Sequence, residues 1–501
     1  MTYTLDTYFK KAKLKMTVPF APFITIREDR LPRKHQISGL NKLLTHDNYG
    51  LYDSPGTGKS NISHAYALYW ISEGQKVLAI MPPNLVYQYK EELFDIFLGA
   101  DKYITMHILD QGPAKRKKLY AQWKQEDSWP QILCMSYQMF AREYEKWMKL
   151  YKVGIFDEAQ FLKNSEGSAI FKQVKEWQEQ KGGTASVFMT GTPIHNEMVD
   201  AYSLIELTDP GAYVNFKAFD RIHCVYKKIR LKTPRRTKSG RMQFSFRQRI
   251  GYTETQKLSK ALYKHARRVL KKDVIEIKDP TITEIPVKLE TAHLTLYKKL
   301  VKERLLEFGD ELIIADNAQS LRQKCLQIVT CPELYVEEMK FKNNIVKACL
   351  EIVDGMDINK SKVIIFANYQ DSVRNLASYF SDLNPALMYG ASNTEKNRQK
   401  FLKDDTCRLL VANPKSAGAG FNFQGVCHTV IFAEPTGVPG DFKQAMDRVS
   451  RSGQKNLVNV YIIKALGTIS PKATQEMLRK ENEAQTVYHD RYTFLSEFKA
   501  A

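Results

Sequence analysis

The chain has few cysteines and no long apolar run, and each shortage excludes a class of protein. Its seven cysteines are scattered without a Cys-x-x-Cys pair, so neither a structural zinc site nor a disulfide framework is expected. No apolar run approaches the roughly 18 residues of a membrane-spanning helix, and the N-terminus lacks a secretory pattern. The sequence therefore predicts reduced thiols, no membrane partner, and a cytosolic or nuclear setting.

Acidic residues are also scarce, with 55 Asp and Glu against 75 Lys and Arg and a formal net charge of +20. Such an excess suggests a polyanion as partner, most often nucleic acid, although charge alone is equally consistent with a solvated basic surface. The length of 501 residues predicts two or three domains, and the 43% hydrophobic content is enough to fill their cores.

The stretch Asp53-Ser-Pro-Gly-Thr-Gly-Lys-Ser60 is typical of a phosphate-binding loop. An apolar run precedes it and a helical run follows, which is the context such a loop needs. Its glycines let backbone N–H groups face an anion at the positive end of the helix. Lys59 is predicted to reach the β- and γ-phosphates and Ser60 to bind Mg²⁺. The predicted ATP-binding residues of the loop are Asp53, Ser54, Pro55, Gly56, Thr57, Gly58, Lys59 and Ser60. Taken alone, a Gly-rich turn that starts a helix is the alternative.

The pair Asp157-Glu158 directly follows the apolar run 153–156. A carboxylate at a strand end beside a phosphate loop can hold Mg²⁺, and the next can activate water. Asp157 is therefore the predicted metal ligand and Glu158 the predicted base. Thr190 and Thr192, after the run 186–190, are predicted to sense the nucleotide, with a plain strand-to-turn junction as the alternative.

Short apolar runs alternate with helical stretches and restart late in the chain, which predicts two α/β lobes with parallel sheets and helices on both faces. Only the first lobe carries the loop. The expected boundaries are an N-terminal tail or surface helix at 1–17, a first lobe at 18–290 and a second at 291–501. The runs are 76–81, 131–136, 153–156 and 186–190, then 363–366, 408–412, 429–433 and 458–463.

Residues 227–249 hold ten Lys and Arg and no acidic residue. Apolar residues alternate with basic and polar ones on both sides of 234–240, which predicts a basic hairpin that projects from the first lobe and has its turn there. A solvated loop is an equal alternative. The predicted DNA contacts of this segment are Arg235, Arg236, Lys238 and Arg241.

Arg448 and Arg451 are three residues apart in the second lobe. We expect them on one face of a helix, where two guanidinium groups can clamp a γ-phosphate as arginine fingers do. Two surface arginines are the alternative.

Together these blocks resemble the motifs of helicase superfamily two, and in detail those of Swi/Snf-type DNA translocases. The loop is similar to D-E-M-G-L-G-K-T, residues 156–164 to V-D-E-A-H-x-L-K-N, and residues 190–196 to T-G-T-P-L-Q-N. Four further blocks also match: residues 81–92 resemble C-P-x-S-L-x-x-x-W-x-x-E, and residues 321–332 resemble L-R-x-x-C…H-P. Residues 417–422 resemble A-G-G-x-G-x-N, and residues 444–454 resemble Q-A-x-x-R-x-x-R-x-G-Q. So many ordered blocks are not a chance agreement.

The resemblance implies two RecA-like lobes in tandem with an ATP cleft between them. It implies that Gln36 contacts adenine, that Gly420 belongs to the ATP site, and that Arg448 and Arg451 complete that site. The residues implied to couple ATP to DNA are Gln160, Thr190, Gly191, Thr192 and Gln444. Those implied to face DNA are Pro83, Asn84, Ser136, Ser392, Gly418 and Asn422.

The chain departs from the family pattern at three places. Gln160 replaces the usual His, Ala419 replaces a Gly, and Gly437-Val438 stand where the family often has Trp-Asn. The first change should leave hydrolysis intact, whereas the other two affect fine coupling. The remaining length fits no bromodomain, chromodomain or zinc module, which favours a compact bacterial or phage enzyme, cytoplasmic in its host, or nuclear if eukaryotic.

The sequence thus predicts a monomeric, ATP- and Mg²⁺-dependent motor on double-stranded or branched DNA, with replication or recombination proteins as candidate partners. A strand-separating or branch-migrating helicase and an RNA or transcription-complex remodeller are the alternatives among enzymes. A nucleotide-switched DNA clamp is the alternative outside them, and retention of Lys59, Glu158, Arg448 and Arg451 argues against it.

Overall fold

The fold consists of two compact units in one chain, seen in a computed structural model. Unit 1 comprises Met1–His223 and Glu254–Glu276, and unit 2 comprises Cys224–Thr253 and Ile277–Ala501. In the residues described, no helix is long and apolar enough to cross a membrane. The described residues are 3–12, 20–163, 167–180, 184–236, 241–308, 315–336, 339, 341–358, 361–390, 392, 394–418, 422–451 and 453–488.

Strands and helices alternate through the first part of the chain. In order they are α1 (Leu5–Lys11), β1 (Thr25–Ile26), α2 (Lys34–Leu44), β2 (Asn48–Leu51), α3 (Lys59–Ser72), β3 (Val77–Met81), α4 (Val86–Ile96), β4 (Phe97–Leu98), β5 (Met106–Ile108), α5 (Pro113–Gln125), β6 (Ile132–Ser136), α6 (Tyr137–Trp147), β7 (Val153–Asp157), α7 (Ala169–Gln178), β8 (Ala185–Met189), α8 (Ala201–Thr208), α9 (Phe216–His223), β9 (Cys224–Arg236), β10 (Met242–Tyr252), α10 (Thr255–Leu262), β11 (Ala266–Arg267) and α11 (Lys271–Val274).

The core of unit 1 is a seven-stranded sheet in the order β11-β2-β8-β7-β3-β6-β5, and every pairing in it is parallel. Its central strands β3 and β8 are buried along their whole length, as expected of a parallel sheet covered on both faces. Because the strands are parallel, the loops after β2, β3, β6, β7 and β8 all leave the same edge. That edge carries the phosphate loop.

The second part of the chain repeats the pattern without a phosphate loop. Its elements are β12 (Thr281–Lys288), α12 (Thr291–Phe308), α13 (Ala315–Thr330), α14 (Asn344–Asp354), β13 (Lys362–Phe366), α15 (Gln370–Tyr379), β14 (Ala386–Met388), α16 (Thr394–Lys403), β15 (Leu409–Ala412), α17 (Pro414–Gly418), β16 (Cys427–Phe432), α18 (Pro439–Met446), β17 (Asn459–Leu466) and α19 (Ser470–Tyr488). The six-stranded sheet has the order β12-β17-β16-β13-β15-β14 and is parallel throughout. The predicted pair of parallel α/β lobes is confirmed.

The basic segment forms the predicted hairpin, in which β9 and β10 pair antiparallel with two register shifts. It was expected in the first lobe, but Cys224–Thr253 belong to unit 2. Residues 237–240 of the expected turn lie outside the described residues. The strand β9 continues to Arg236, so residues 234–236, expected in the turn, belong to the strand.

Two expected boundaries differ from the structure. Residues 281–288, assigned by sequence to the first lobe, form β12 and pair along their whole length with β17 of the second sheet. Residues 5–11 form a helix, as one of the two expectations for 1–17 had it, but the helix is part of unit 1, because Leu5, Tyr8 and Phe9 recur at helical spacing and are buried in its core.

Candidate nucleotide-binding site

The phosphate loop turns at two glycines whose backbones are left-handed. Gly56 has φ 80° and Gly58, which immediately precedes α3, has φ 89°. This region is accessible to Gly at little cost and strains other residues. The loop therefore delivers Lys59 and Ser60 to the first turn of a 14-residue helix, where free N–H groups favour an anion.

The side chain of Lys59 folds back over the loop. Its Nζ donates to the carbonyl oxygens of Asp53 at 2.7 Å and Ser54 at 3.4 Å. The hydroxyl of Thr57 donates to the same Ser54 carbonyl at 2.8 Å. These bonds fix the path of the loop and place the ammonium group at its centre.

Gln36, predicted to contact adenine, holds the loop itself. Its Nε2 donates to the carbonyls of Thr57 at 3.2 Å and Gly58 at 3.3 Å, and its Oε1 accepts from the Arg33 N–H at 2.7 Å. His35 Nε2 lies 2.9 Å from the same Thr57 carbonyl. A Cβ on Gly58 would lie 2.0 Å from Gln36 Nε2, so the amide requires glycine there. Adenine contact stays a prediction.

Asp157 and Glu158 end β7 at the edge that carries the loop. Burial, and then the adjacent Glu158 carboxylate, raise the pKa of Asp157 to about 7, against the opposing charge of Lys59. The Asp157 carboxylate accepts from the Glu158 N–H at 2.9 Å. Tyr137 donates its hydroxyl to the Asp157 carbonyl at 2.8 Å, and its ring stacks on Phe161.

A chain of hydrogen bonds joins Glu158 to the turn after β8. Gln160 Nε2 donates to the Glu158 carboxylate at 2.7 Å, and Thr190 Oγ1 donates to Gln160 Oε1 at 2.6 Å. Thr190 Oγ1 in turn accepts from the Thr192 N–H at 3.0 Å. Glutamine thus supplies a donor and an acceptor in the position where the family usually has histidine. The residues predicted for coupling in unit 1 therefore meet.

The same turn packs directly on the phosphate loop. A Cβ on Gly191 would lie 2.6 Å from Pro55 Cδ, so only glycine allows this approach. Of the predicted residues of unit 1, the loop, Gln160, Gly191 and the two threonines form one site together with Asp157 and Glu158.

The residues of this site fit a magnesium ion. Among the described residues, no group of three or more His, Cys, Asp or Glu side chains is arranged so that it could hold a metal ion. Mg²⁺ beside a nucleotide needs no such cluster, because one carboxylate, one hydroxyl, phosphate oxygens and waters complete its shell. Ser60 and Asp157 offer that pair, and a nearby cation would favour the ionised form of Asp157.

Sequence reasoning missed two arginines, of which Arg267 bonds to the loop and Arg268 bonds to residues next to it. Arg267 Nη2 donates to the buried Asp53 carboxylate at 2.5 Å. Arg268 Nη1 donates to the carbonyls of Tyr52 and Gly191, each at 3.3 Å. Both arginines lie more than two hundred residues after the loop, so no local sequence pattern links them to it. The one feature that could have drawn notice is that they are adjacent in a run without acidic residues.

In unit 2, the prediction that Arg448 and Arg451 share a helix face is wrong. The helix α18 ends at Met446, and both arginines lie in the turn that follows. The Arg448 carbonyl instead accepts from the Phe423 N–H at 2.9 Å, and Arg451 Nη1 donates to the Asn422 side chain. The Arg448 carbonyl is thus used by a long-range bond, although the Ser450 N–H still donates to the Met446 carbonyl at 2.9 Å. Gln444 lies half-buried on α18.

The residues predicted to face DNA occupy several loops. Pro83 and Asn84 are exposed after β3, and Ser136 caps α6 by accepting from the Met139 N–H at 3.2 Å. Ser392 closes a turn with Tyr389 after β14. Gly418 ends α17, and Gly420 lies outside the described residues. In the hairpin, Arg241 is exposed. Lys238 and the side chains of Arg235 and Arg236 lie outside the described part of the chain.

The hairpin has two chemically different faces. Directly opposite residues of an antiparallel pair share a face. On one face, Arg247 is opposite Lys228 and Arg249 is opposite Tyr226, and Arg230 lies on the same face. The guanidinium of Arg247 lies 4.3 Å from the centroid of the Tyr226 ring. We call this face the basic face. The other face pairs Phe246 with Ile229 and Gln248 with Lys227.

The comparisons with known proteins identify the family of the chain. A model of the SNF2-related domain matches residues 28–339, and a model of the helicase conserved C-terminal domain matches residues 342–453. Because the first match alone covers more than half of the 501 residues, the chain belongs to the SNF2-related family. It is thus a superfamily-two ATPase with the architecture of an ATP-dependent helicase or translocase, and the predicted family and enzyme class are confirmed.

The chain is similar to several much longer proteins. It is 27% identical over 469 residues to an uncharacterized ATP-dependent helicase of Mycoplasma genitalium, covering 90% of the chain and 41% of that protein. It is 25% identical to the TATA-binding protein-associated factor MOT1 of Saccharomyces cerevisiae, over 84% of the chain and 24% of that protein. It is 23% identical to the DNA repair and recombination protein RAD54B of Gallus gallus, over 81% and 47%. The chain spans less than half the length of each.

Among solved structures, the chain is similar to the Sulfolobus solfataricus SWI2/SNF2 ATPase core in complex with dsDNA. The identity is 22% and the TM-score 0.39, with 91% of this chain and 96% of that chain covered. Both bacterial and eukaryotic proteins occur among the relatives, so a bacterial or phage origin stays a prediction.

Proposed function

We propose that this ATPase is a motor that moves along duplex DNA and remodels DNA structures or protein–DNA complexes. The observation that carries the proposal is the chain of hydrogen bonds from Glu158 through Gln160 to Thr190 and Thr192. It links the proposed hydrolytic base to a turn that packs on the phosphate loop, so a change at the nucleotide can move another part of the unit. Relatives named for DNA repair and for association with the TATA-binding protein support DNA as the track.

The residues of unit 1 divide the hydrolytic work. The N-terminus of α3 and Lys59 bind the phosphates, and Glu158 accepts the proton of the attacking water. Ser60 and Asp157 would hold Mg²⁺, which supplies positive charge beside the β- and γ-phosphates when bound. Gln160 keeps the Glu158 carboxylate oriented and reports its position to Thr190. For Arg448 and Arg451 we propose a role in stabilising charge on the γ-phosphate.

The basic face of the hairpin is the proposed contact with DNA in unit 2. Lys228, Arg230 and Arg247 are exposed, and no acid interrupts residues 227–249. Lys and Arg contacts of this kind go to phosphates, which carry no sequence information. We therefore expect binding to depend strongly on salt and weakly on sequence.

A specific observation favours strand separation as a second candidate. Phe244 is 64% exposed and Met242 is 50% exposed at the far end of the hairpin. An aromatic ring in that position can stack on a base at an opened pair. A fork or junction is then a better substrate than a linear duplex.

The experiment that tests the proposal is ATPase turnover with duplex, forked and single-stranded DNA and with RNA, in parallel with displacement of a triplex-forming strand. A duplex motor shows stimulation by duplex DNA and ATP-dependent triplex displacement without release of single strands. Release of single strands favours the helicase, and stimulation by RNA alone favours an RNA remodeller. DNA binding without stimulated turnover indicates a nucleotide-switched clamp and contradicts the motor.

A further inference from the structure

A short segment remote in sequence supports the phosphate loop from the side. The N–H groups of Gly50, Tyr52 and Ser54 donate to the carbonyls of His265, Arg267 and Val269 at 2.8, 2.9 and 2.9 Å. The parallel pairing of β2 with β11 thus continues past the end of β2 into the loop. We call residues 265–269 the brace.

Asp53, the first residue of the loop, is held by the brace through both carboxylate oxygens. Its side chain is 0% exposed. One oxygen accepts from the Val269 N–H at 2.9 Å and the other from Arg267 Nη2 at 2.5 Å. A buried carboxylate without its cation is strongly unfavourable, so the two side chains depend on each other.

Arg267 also reaches the helix that holds the far end of the loop. Its Nη1 donates to the His35 carbonyl at 2.7 Å, and its guanidinium packs against Gly39, where a Cβ would lie 2.6 Å from Nη2. His35 and Gln36 contact the carbonyls of Thr57 and Gly58, as described above. One guanidinium therefore connects the first residue of the loop with the helix that binds its last turn.

Arg268 makes a parallel connection on the other side. Its Nη1 lies 3.3 Å from the carbonyls of both Tyr52 and Gly191. Because Gly191 packs on Pro55 and follows Thr190, this arginine joins the entrance of the loop to the turn that ends the Glu158–Thr192 chain.

We infer that Arg267 is a positioning residue for nucleotide binding, acting through Asp53 and the phosphate loop, and that Arg268 aligns the 190–192 turn with the loop. The inference rests on the assignment of the loop as the ATP site. Neither arginine needs to touch ATP, since Arg267 acts on Asp53 and Arg268 acts on the backbone of Tyr52, just before the loop, and of Gly191. Along the chain, the hairpin with the proposed DNA contact is followed by α10 and then by the brace. The brace therefore belongs to the segment with which the chain returns to unit 1.

The test compares Arg267→Lys, Arg267→Met and Asp53→Asn with the double variant Asp53→Asn/Arg267→Met. Arg267→Lys keeps the charge but loses the fork that reaches Asp53 and His35 together, so KM for ATP should rise about tenfold with kcat changed less than about threefold. Arg267→Met should be more severe, because it leaves Asp53 buried and unpaired. The double variant should recover much of the nucleotide affinity, since no uncompensated charge remains. Additive losses in the double variant would overturn the inference.

A second ion pair in the same unit provides the control. Arg116 Nη2 lies 2.9 Å from Glu143 Oε1, and the two side chains are 8% and 12% exposed. Arg116→Lys should lower the melting temperature while leaving KM for ATP unchanged. If Arg267→Lys also lowers only the melting temperature, its role is structural and the inference fails.

Arg268→Met should lower DNA-stimulated kcat at unchanged nucleotide affinity, and an unchanged kcat would remove Arg268 from the inference.

Lys59→Ala separates this inference from the assignment of the site. If Lys59→Ala abolishes binding of a fluorescent ATP analogue while the Arg267 variants bind normally, only the inference fails. If Lys59→Ala binds the analogue normally, the ATP site itself is wrongly assigned.

Discussion

At the scale of single residues, Glu158 is under more constraint than its neighbours. It has φ 53° and ψ 50°, a left-handed backbone that non-glycine residues seldom adopt. Strain of this kind persists where the surroundings fix it, and here Gln160 holds the carboxylate while the Phe161 N–H donates to the Glu158 carbonyl at 3.0 Å. The conformation points to a residue placed for chemistry rather than for packing.

Glu158→Gln should bind ATP normally and lose most of its turnover. The amide keeps the size and can still bond to Gln160, but it cannot accept the proton of water, so kcat should fall by about 10² to 10⁴. The measurement is steady-state ATPase with DNA, alongside equilibrium binding of ATP. Gln160→His, which restores the usual residue of the family, is the matched control and should stay active. Near-normal turnover in Glu158→Gln would refute the assigned base.

Glu434 is a buried carboxylate outside the predicted sites. It follows β16, accepts from the Asn368 N–H at 2.6 Å and from the Ser372 hydroxyl, and is 1% exposed. Burial raises its pKa to about 7. The folded state therefore prefers the protonated acid, and the resulting stability is lost as pH rises from the ordinary pKa of Glu toward 7.

Glu434→Gln should flatten the pH dependence of unit 2 stability. Between pH 5 and 8 the parent should lose on the order of 3 kcal/mol that the variant does not lose, since each pKa unit corresponds to about 1.4 kcal/mol. Urea midpoints at each pH, followed by pulsed alkylation of the buried cysteines of unit 2, measure the effect. Parallel pH profiles for the two proteins would show that Glu434 does not titrate in this range.

At the scale of secondary-structure elements, the sequence predicted what depends on local pattern. The buried strand β3 is an uninterrupted apolar run, β13 is one after its first residue Lys362, and the hairpin shows alternation on both sides of its turn. The failures depend on distant partners. The segment 281–288 becomes a strand by pairing with β17, and Arg448 leaves the helix because its carbonyl bonds to Phe423. Asp53 and Arg267 are 214 residues apart, so no window of sequence connects them.

The hairpin prediction belongs to this scale. If the basic face lies on DNA, replacing Lys228, Arg230 and Arg247 with Ser should reduce the slope of log affinity against log salt by up to about 2.7, or 0.9 for each lost phosphate contact. The loss should be similar for unrelated duplexes, and ATPase without DNA should survive. Replacing Arg235, Arg236, Lys238 and Arg241 tests the predicted tip in the same way.

Lys227→Ser provides the control for this experiment. Lys227 is exposed but lies opposite Gln248, on the other face of the ribbon. Its removal should leave the slope nearly unchanged. Equal slopes for the triple variant and the parent would mean that the hairpin is solvated and that the positive charge of the chain serves another purpose.

At the scale of the whole molecule, each unit carries its own reporter. The five tryptophans all lie between residues 70 and 177, in unit 1. Five of the seven cysteines lie between residues 325 and 427, in unit 2, and all are buried. Burial raises the pKa of the thiols of Cys331, Cys349 and Cys427 to about 12, which keeps them unreactive in the folded state. Cys134 lies in unit 1 and Cys224 in unit 2, so alkylation must be read at each cysteine separately. Read in that way at the unit 2 cysteines, alkylation follows unit 2 while tryptophan fluorescence follows unit 1.

These reporters test whether both units respond to one nucleotide. In a Glu158→Gln background, ATP at about one hundred times its Kd should stabilise unit 1 by about 2.7 kcal/mol. If Arg448 and Arg451 act on the γ-phosphate, ATP should also slow alkylation of the unit 2 cysteines, and ADP should do so much less. Arg448→Ala/Arg451→Ala should abolish this protection while leaving the fluorescence shift of unit 1 intact. Lys59→Ala is the control and should lose both effects. Protection of unit 1 alone in the parent background would contradict the proposed role of the two arginines.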